Sequence, residues 1–250
     1  MDRTAAFFDL DKTMIATSAP LAFVRPMRAA GLLTRRSTAR AVWAKHVYLR
    51  RGADANLMTR IKRATAANIV GLPVDRIRAI VRKEVDRLIV PLIYPEAREL
   101  LAGHRGRGHE LVLVSSSGLD VVQPIAAVLD IPHVIATRMS VADGRYTGEL
   151  DYFAYAEEKV RAVRRMADER GYDLASSFAY SDSITNEPLL RCVGHPVAVN
   201  PDRRLHELAI RAGWPIRDFA RPRRQPTLIR TGISRRLGRS DRRGPDAFFD

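Results

Sequence analysis

Thr4 to Phe8 is an apolar run of strand length that stops abruptly at two acids, in the stretch Phe7-Phe8-Asp9-Leu10-Asp11-Lys12-Thr13. A continuous apolar run is the mark of a strand buried on both faces, and acid at its end marks the point where the chain leaves the core. Strand side chains alternate, which predicts Asp9 and Asp11 on one face. Two close carboxylates resist joint ionisation unless a cation lies between them or one keeps a proton.

The chain that follows divides in two. From Ala16 to about Tyr94 no strand signal occurs. Leu21–Ala30, Thr34–Arg50 and Ala55–Val70 each read as a helix stopped by glycine, with Pro26 a source of a kink in the first. Pro73 then opens a helix whose Val74, Ile77, Val81, Val85 and Leu88 recur at helical spacing. Trp43, Val47 and Tyr48 read as core, and the arginines of this block as a solvated face.

After Pro95 strands and helices alternate, which argues for a parallel sheet. Glu96–His104 is helical, Glu110–Val114 is a strand ending in Ser115-Ser116-Ser117-Gly118, Leu119–Leu129 is helical, and His133–Thr137 is a strand. Asp143-Gly144 between alternating flanks predicts a hairpin over Met139–Leu150. Glu157–Arg170 is an amphipathic helix with Lys159 in its first turn. Ser177–Asp182 is a strand ending in acid, Asn186–Cys192 a helix, Pro196–Val199 a strand, and Asp202 caps a last helix to Ala212.

Three strands thus end in Asp9, Ser115 and Asp182, and Lys159 starts a helix. In an open parallel sheet ligands sit at the carboxyl ends of the strands, so these groups can meet there. Asp9 and Asp182 can share Mg²⁺, a cation that prefers hard oxygen ligands, while a serine hydroxyl, free amides and an ammonium suit a phosphate. That combination fits phosphoryl transfer, with Asp9 attacking phosphorus and Asp11 moving the proton.

These residues resemble those of the haloacid dehalogenase (HAD) superfamily, in its phosphoserine phosphatase-like IB branch. The likeness rests on Phe7–Thr13, Leu111–Ser115, Glu158-Lys159-Val160 and Ala179–Ser183, with Gly144–Gly148 and Gly194–Pro201 as further matches. It implies an α/β fold, a Rossmann-like doubly wound parallel sheet with an inserted α-helical cap: core at 1–15 and 95–215, cap at 16–94, basic tail at 216–250. It implies a phosphoric monoester hydrolase with Asp9 as nucleophile and Asp11 as acid/base. Thr13, Ser115, Ser116 and Lys159 would serve the phosphate. Mg²⁺ would be held by Asp9, the Asp11 carbonyl and Asp182.

Two positions depart from the pattern. Asn186 stands where relatives place a second acid, just outside the metal's own ligands, and keeps a carbonyl oxygen but no charge. Ser18 stands where phosphoserine phosphatases carry the glutamate that pairs with the substrate ammonium, which points to a different small or lipid-derived phosphomonoester. A phosphotransferase using the same intermediate, or a weakened binding module of this fold, are the alternatives.

Composition narrows the setting. Net charge is +14, of which nine Arg and three Asp put +6 into residues 221–250. That stretch, rich also in Pro and Gly, reads as a mostly disordered, solvated tail, with weak attraction to anionic lipid or nucleic acid as the sharper alternative. No apolar run is long enough to span a bilayer, the start leaves no room for a signal peptide, and Cys192 is the single cysteine. The expectation is a cytoplasmic protein without an integral membrane segment.

Overall fold

The computed structural model describes residues 3–34, 69–220 and 222. The helices expected over 34–50 and 55–70, with Trp43, Val47 and Tyr48, lie outside the described residues apart from their outermost positions, as does the basic stretch from 223 onward.

The expected doubly wound sheet is present. It is built from β1 (Ala5–Asp9), β2 (Glu110–Gly118), β3 (His133–Ala142), β4 (Arg145–Tyr152), β5 (Phe178–Ser181), β6 (His195–Val199) and β7 (Ile216–Arg217). Their spatial order is β4-β3-β2-β1-β5-β6-β7. Every pairing is parallel except that of β3 with β4. β1 is central and buried along its whole length, which is why its sequence is apolar without alternation.

The two faces of β1 feed separate apolar clusters. Ala6 and Phe8 pack with α3 (Val74–Ile89), α4 (Pro95–Gly106) and α5 (Leu119–Val128). Ala5 and Phe7 pack with α6 (Glu157–Arg170), α7 (Glu187–Arg191) and α8 (Arg203–Ala212). The buried stripe of α3 is Val74, Ile77, Val81, Val85 and Ile89, close to the set its spacing predicts. Asp202 caps α8 as expected, accepting from the Leu205 amide at 2.9 Å.

Four local readings change. The helix expected over Leu21–Ala30 is two short ones, α1 (Ala19–Ala22) and α2 (Val24–Ala29). The Pro26 ring would collide with the carbonyl of Ala22, four residues earlier, so the first helix ends there. The strand at His133 and the hairpin are one continuous element. β3 pairs with β2 as far as Thr137 and with β4 from Arg138, turning at Asp143 and Gly144, both at positive φ. The helix expected from Asn186 starts with a 3₁₀ turn at Ile184–Asn186. Residues 216–220, expected in the tail, belong to the folded body: β7 extends the sheet and the Ala220 amide donates to Glu96 Oε1 at 2.9 Å.

The second end of the expected cap is stitched to the hairpin. Gly71 donates to the Tyr146 carbonyl at 2.8 Å, Tyr146 donates back to Leu72 at 3.1 Å, and Val74 donates to Gly144 at 3.0 Å. Asp120, in the first turn of α5, joins the same region by accepting from Arg78 Nε and the Tyr146 hydroxyl, both at 2.6 Å. Among the described residues no helix is long and apolar enough to cross a membrane.

Candidate active site

The register of the sheet brings the strand ends together. Asp9 lies opposite Val114, one residue before Ser115, and Phe8 lies opposite Tyr180, two residues before Asp182. β2 and β5 flank β1 on opposite sides while the chain between them runs outward through β3 and β4. That reversal of strand order makes the carboxyl end of β1 the crevice of the sheet.

Asp9 is 6% exposed. Its Oδ1 accepts from Lys159 Nζ at 3.0 Å, an ion pair whose side chains are 2% and 9% exposed. A lysine in the first turn of an amphipathic helix ordinarily faces water. Here the chain enters α6 through Tyr155–Glu158, closed by a Glu158 amide bond to the Tyr155 carbonyl at 3.0 Å. Ala156 carries the turn at φ 45°, ψ −121° and rotates the start of the helix so that Lys159 points inward.

Asp182 is also buried, and its carboxyl is pushed up to about 8, first by burial and then by the Asp9 carboxylate, with Lys12 opposing. Two buried acids side by side, with the Lys159 ammonium against one of them, form an oxygen-rich site suited to a hard divalent cation. The residues present therefore fit a hard divalent cation that takes its remaining ligands from backbone carbonyl, water or phosphate oxygens.

Asp11 is placed by the turn and not by strand alternation, since β1 stops at Asp9. Lys12 at φ 62° reverses the chain, and the Met14 amide closes the loop onto the Leu10 carbonyl at 3.0 Å. The Asp11 carboxylate accepts from the Ala19 amide and the Ser18 hydroxyl, each at 2.8 Å, and from the Ser117 hydroxyl at 3.5 Å.

The remaining expected residues divide. Ser115 is buried, with Oγ accepting from the Ser117 amide at 3.2 Å, whereas Ser116 is exposed and its carbonyl accepts from Thr137. Thr13 is fully buried and its hydroxyl has no partner among the described residues. Asn186 turns both polar ends of its side chain inward: Oδ1 accepts from Lys159 Nζ at 2.9 Å and Nδ2 donates to Ser181 Oγ at 2.8 Å.

Three contributors escaped the sequence reading. Ser117 was detectable in principle, because it lies two residues from Ser115 on a strand. Ser181 carried no signal, since a serine before the strand-ending acid has many uses. Asp202 was read only as a helix cap, yet its other oxygen accepts from Ser183 Oγ at 3.1 Å and the Ile184 amide at 3.0 Å, fixing the loop after Asp182.

Residues 6–191 match the family model of the haloacid dehalogenase-like hydrolases. The chain is 46% identical over 220 residues to the probable phosphatase Rv3661 of Mycobacterium tuberculosis, covering 88% of this chain and 77% of that protein. It is 33% identical over 217 residues to the phosphoserine phosphatase SerB1 of the same organism, covering 86% and 70% of the two chains. Among solved structures, a Bordetella pertussis protein of unknown function superposes with a TM-score of 0.73 at 27% identity, over 87% of this chain and 99% of that one.

Proposed function

The chain belongs to the haloacid dehalogenase-like hydrolases and is a phosphoserine phosphatase-like phosphoric monoester hydrolase; we propose that it works through an aspartyl-phosphate on Asp9, with Mg²⁺. The observation that carries this reading is the Asp9 carboxylate, buried at the crevice of the sheet and held at 3.0 Å by an equally buried lysine. A carboxylate in that setting is oriented for one approach, and the ammonium beside it meets charge that develops on the phosphoryl oxygens.

In the first half-reaction the Asp9 carboxylate attacks phosphorus, the bond to the leaving oxygen breaks, and Asp11 gives that oxygen its proton. In the second, Asp11 takes a proton from water as the water oxygen attacks phosphorus, releasing phosphate and restoring the Asp9 carboxylate. The Ser18 and Ser117 hydroxyls and the Ala19 amide orient Asp11 for both transfers. Lys159 and Ser115 hold the phosphoryl oxygens. Asp9, Asp182 and the Asp11 carbonyl would hold Mg²⁺, which would supply neutralisation of charge on the phosphate. On this reading the segment 16–94 serves as the cap that excludes water and selects substrate.

Position 18 bears on the substrate. Ser18 is 6% exposed and its hydroxyl donates to Asp11, so this position offers a neutral, already engaged group and no carboxylate to a substrate ammonium. A small or lipid-derived phosphomonoester other than phosphoserine is the reading that follows.

Purified protein with Mg²⁺ is expected to release phosphate from an aryl phosphate and to lose that activity in EDTA or as Asp9→Asn. Retention of activity by Asp9→Asn rules out the covalent route. A panel of phosphoserine, sugar phosphates and lipid phosphates tests the substrate, and a clear preference for phosphoserine overturns the argument from Ser18. Added alcohols that become phosphorylated would mark a phosphotransferase.

A further inference from the structure

We propose that Asn186 is a positioning residue for Lys159: it aims the ammonium at Asp9 and the phosphoryl group without adding a negative charge to the site. This rests on the hydrolase reading above and assigns a function to the one position in the strand-end cluster where an acid is replaced by an amide.

Chemistry fixes the orientation of the amide. A lysine ammonium has donors only, so the Asn186 atom 2.9 Å from Nζ is its oxygen. The amide nitrogen then faces Ser181 Oγ at 2.8 Å, where it donates. Asn186 is 5% exposed and Ser181 is fully buried. The backbone beneath is set by the 3₁₀ turn, closed by an Asn186 amide bond to the Ser183 carbonyl at 3.0 Å. The side chain is therefore anchored at both ends.

The consequence falls on Lys159. Its ammonium has three N–H donors, and among the described residues two are directed, one to Asp9 Oδ1 and one to Asn186 Oδ1. Two fixed acceptors determine the direction of the third N–H, which is left for a ligand oxygen. Asn186 and Asp9 thus act together as a gimbal for the charge.

Neutrality matters as much as geometry. Asp9 and Asp182 already place two buried carboxylates in the site, the first against the buried Lys159 ammonium. An aspartate at 186 would make the same bond to Nζ but would share the ammonium's charge a second time and repel an incoming phosphate dianion. The amide supplies direction and leaves the charge for the phosphoryl group. On this account the position acts through Lys159, and its effect persists when metal is saturating.

The test uses the full chain at saturating Mg²⁺, with an aryl phosphate as substrate and inorganic phosphate as the binding probe, read both by inhibition and by calorimetry. Asn186→Leu removes the acceptor while keeping the branching and the number of side-chain heavy atoms. It is expected to lower kcat/KM and phosphate affinity by about ten- to a hundredfold, the loss of one hydrogen bond to a charged group. In a Lys159→Met background the same change is expected to cost less than about twofold, because the group it orients is gone.

Asn186→Asp keeps the acceptor and serves if the leucine variant does not fold. It is expected to hold kcat within about threefold while phosphate binding weakens at least threefold. The proposal is overturned if Asn186→Leu matches the wild type, if its loss is equally large without Lys159, if its loss disappears as Mg²⁺ is raised, or if Asn186→Asp leaves phosphate binding unchanged. Wild-type protein that neither turns over the aryl phosphate nor binds phosphate would instead remove the hydrolase reading itself.

Discussion

Replacing Lys159 with methionine removes the ammonium from a site where its carboxylate partner cannot escape to water. The Lys159 and Asp9 side chains are 2% and 9% exposed, at 3.0 Å. Deleting one member of a buried pair leaves the other charge uncompensated, at a cost of about 3–5 kcal/mol. The Asn186 oxygen loses its donor in the same step, which is part of that cost. For a chain of this size each kcal/mol moves Tm by roughly 2–4 °C, so the expected loss is about 6–20 °C. Thermal melts in EDTA at neutral pH measure it. The double variant Asp9→Asn/Lys159→Met removes both charges and is expected to regain most of the loss, giving a coupling energy above about 2 kcal/mol. A Tm within about 2 °C of wild type for Lys159→Met, or simple additivity in the double variant, refutes the buried ion pair.

Three further outcomes follow from particular groups. The Asp182 carboxyl is pushed up to about 8 by burial and by Asp9, against 3.8 for an ordinary aspartate. Between those values the folded protein binds a proton that the unfolded chain releases, so metal-free stability falls as pH rises through that window. Melts in EDTA should show Asp182→Asn flattening this slope, and an unchanged slope counts against it. Burial, with His109 second, pushes the His104 imidazole down to about 4 from 6.5. Stability from this group is complete above about 6.5 and is lost as pH falls toward 4. His104→Gln should weaken the acid limb of a stability–pH curve. Finally, Ala156 at φ 45°, ψ −121° occupies a turn position that glycine accepts without strain. Ala156→Gly is expected to raise Tm by about 2–4 °C, equivalent to roughly 1 kcal/mol, with denaturant melts as the check.

Much of the scaffold is legible in the chain because burial on both faces imposes a simple pattern. Ala5–Phe8, Leu111–Val114 and Ala179–Tyr180 are runs with no polar interruption, each followed within two residues by Asp9, Ser115 or Asp182. Asp143-Gly144 gives the hairpin turn by backbone sterics alone. Where the reading failed, the deciding contact was distant or backbone-based. The break before Phe23 comes from a ring clash that a helical period does not register. β7 exists because β6 offers an unpaired edge, and the two residues Ile216 and Arg217 are too few to show a period.

The site divides in the same way. Residue types at strand ends point to Asp9, Ser115 and Asp182, because strand ends converge in a parallel sheet. The burial of Lys159 is a different matter: it depends on a contact spanning 150 positions and on the turn at Ala156. Likewise, the side chain of Asn186 could have faced a metal, solvent or lysine. Only its partners at Lys159 and Ser181 decide between them. Asp11 is placed differently from the expectation, since a turn and not strand alternation brings its carboxylate against Ser18 and Ser117.

The central claim is that Asp9 carries the phosphoryl group. Acid-quenching the protein during turnover of an aryl phosphate with Mg²⁺, and mapping phosphate on its peptides by mass spectrometry, tests this directly. Label on the peptide containing Asp9 in the wild type, absent from Asp9→Asn together with turnover, is the predicted result. Steady turnover with no label on that peptide, and with activity kept in Asp9→Asn, would contradict it.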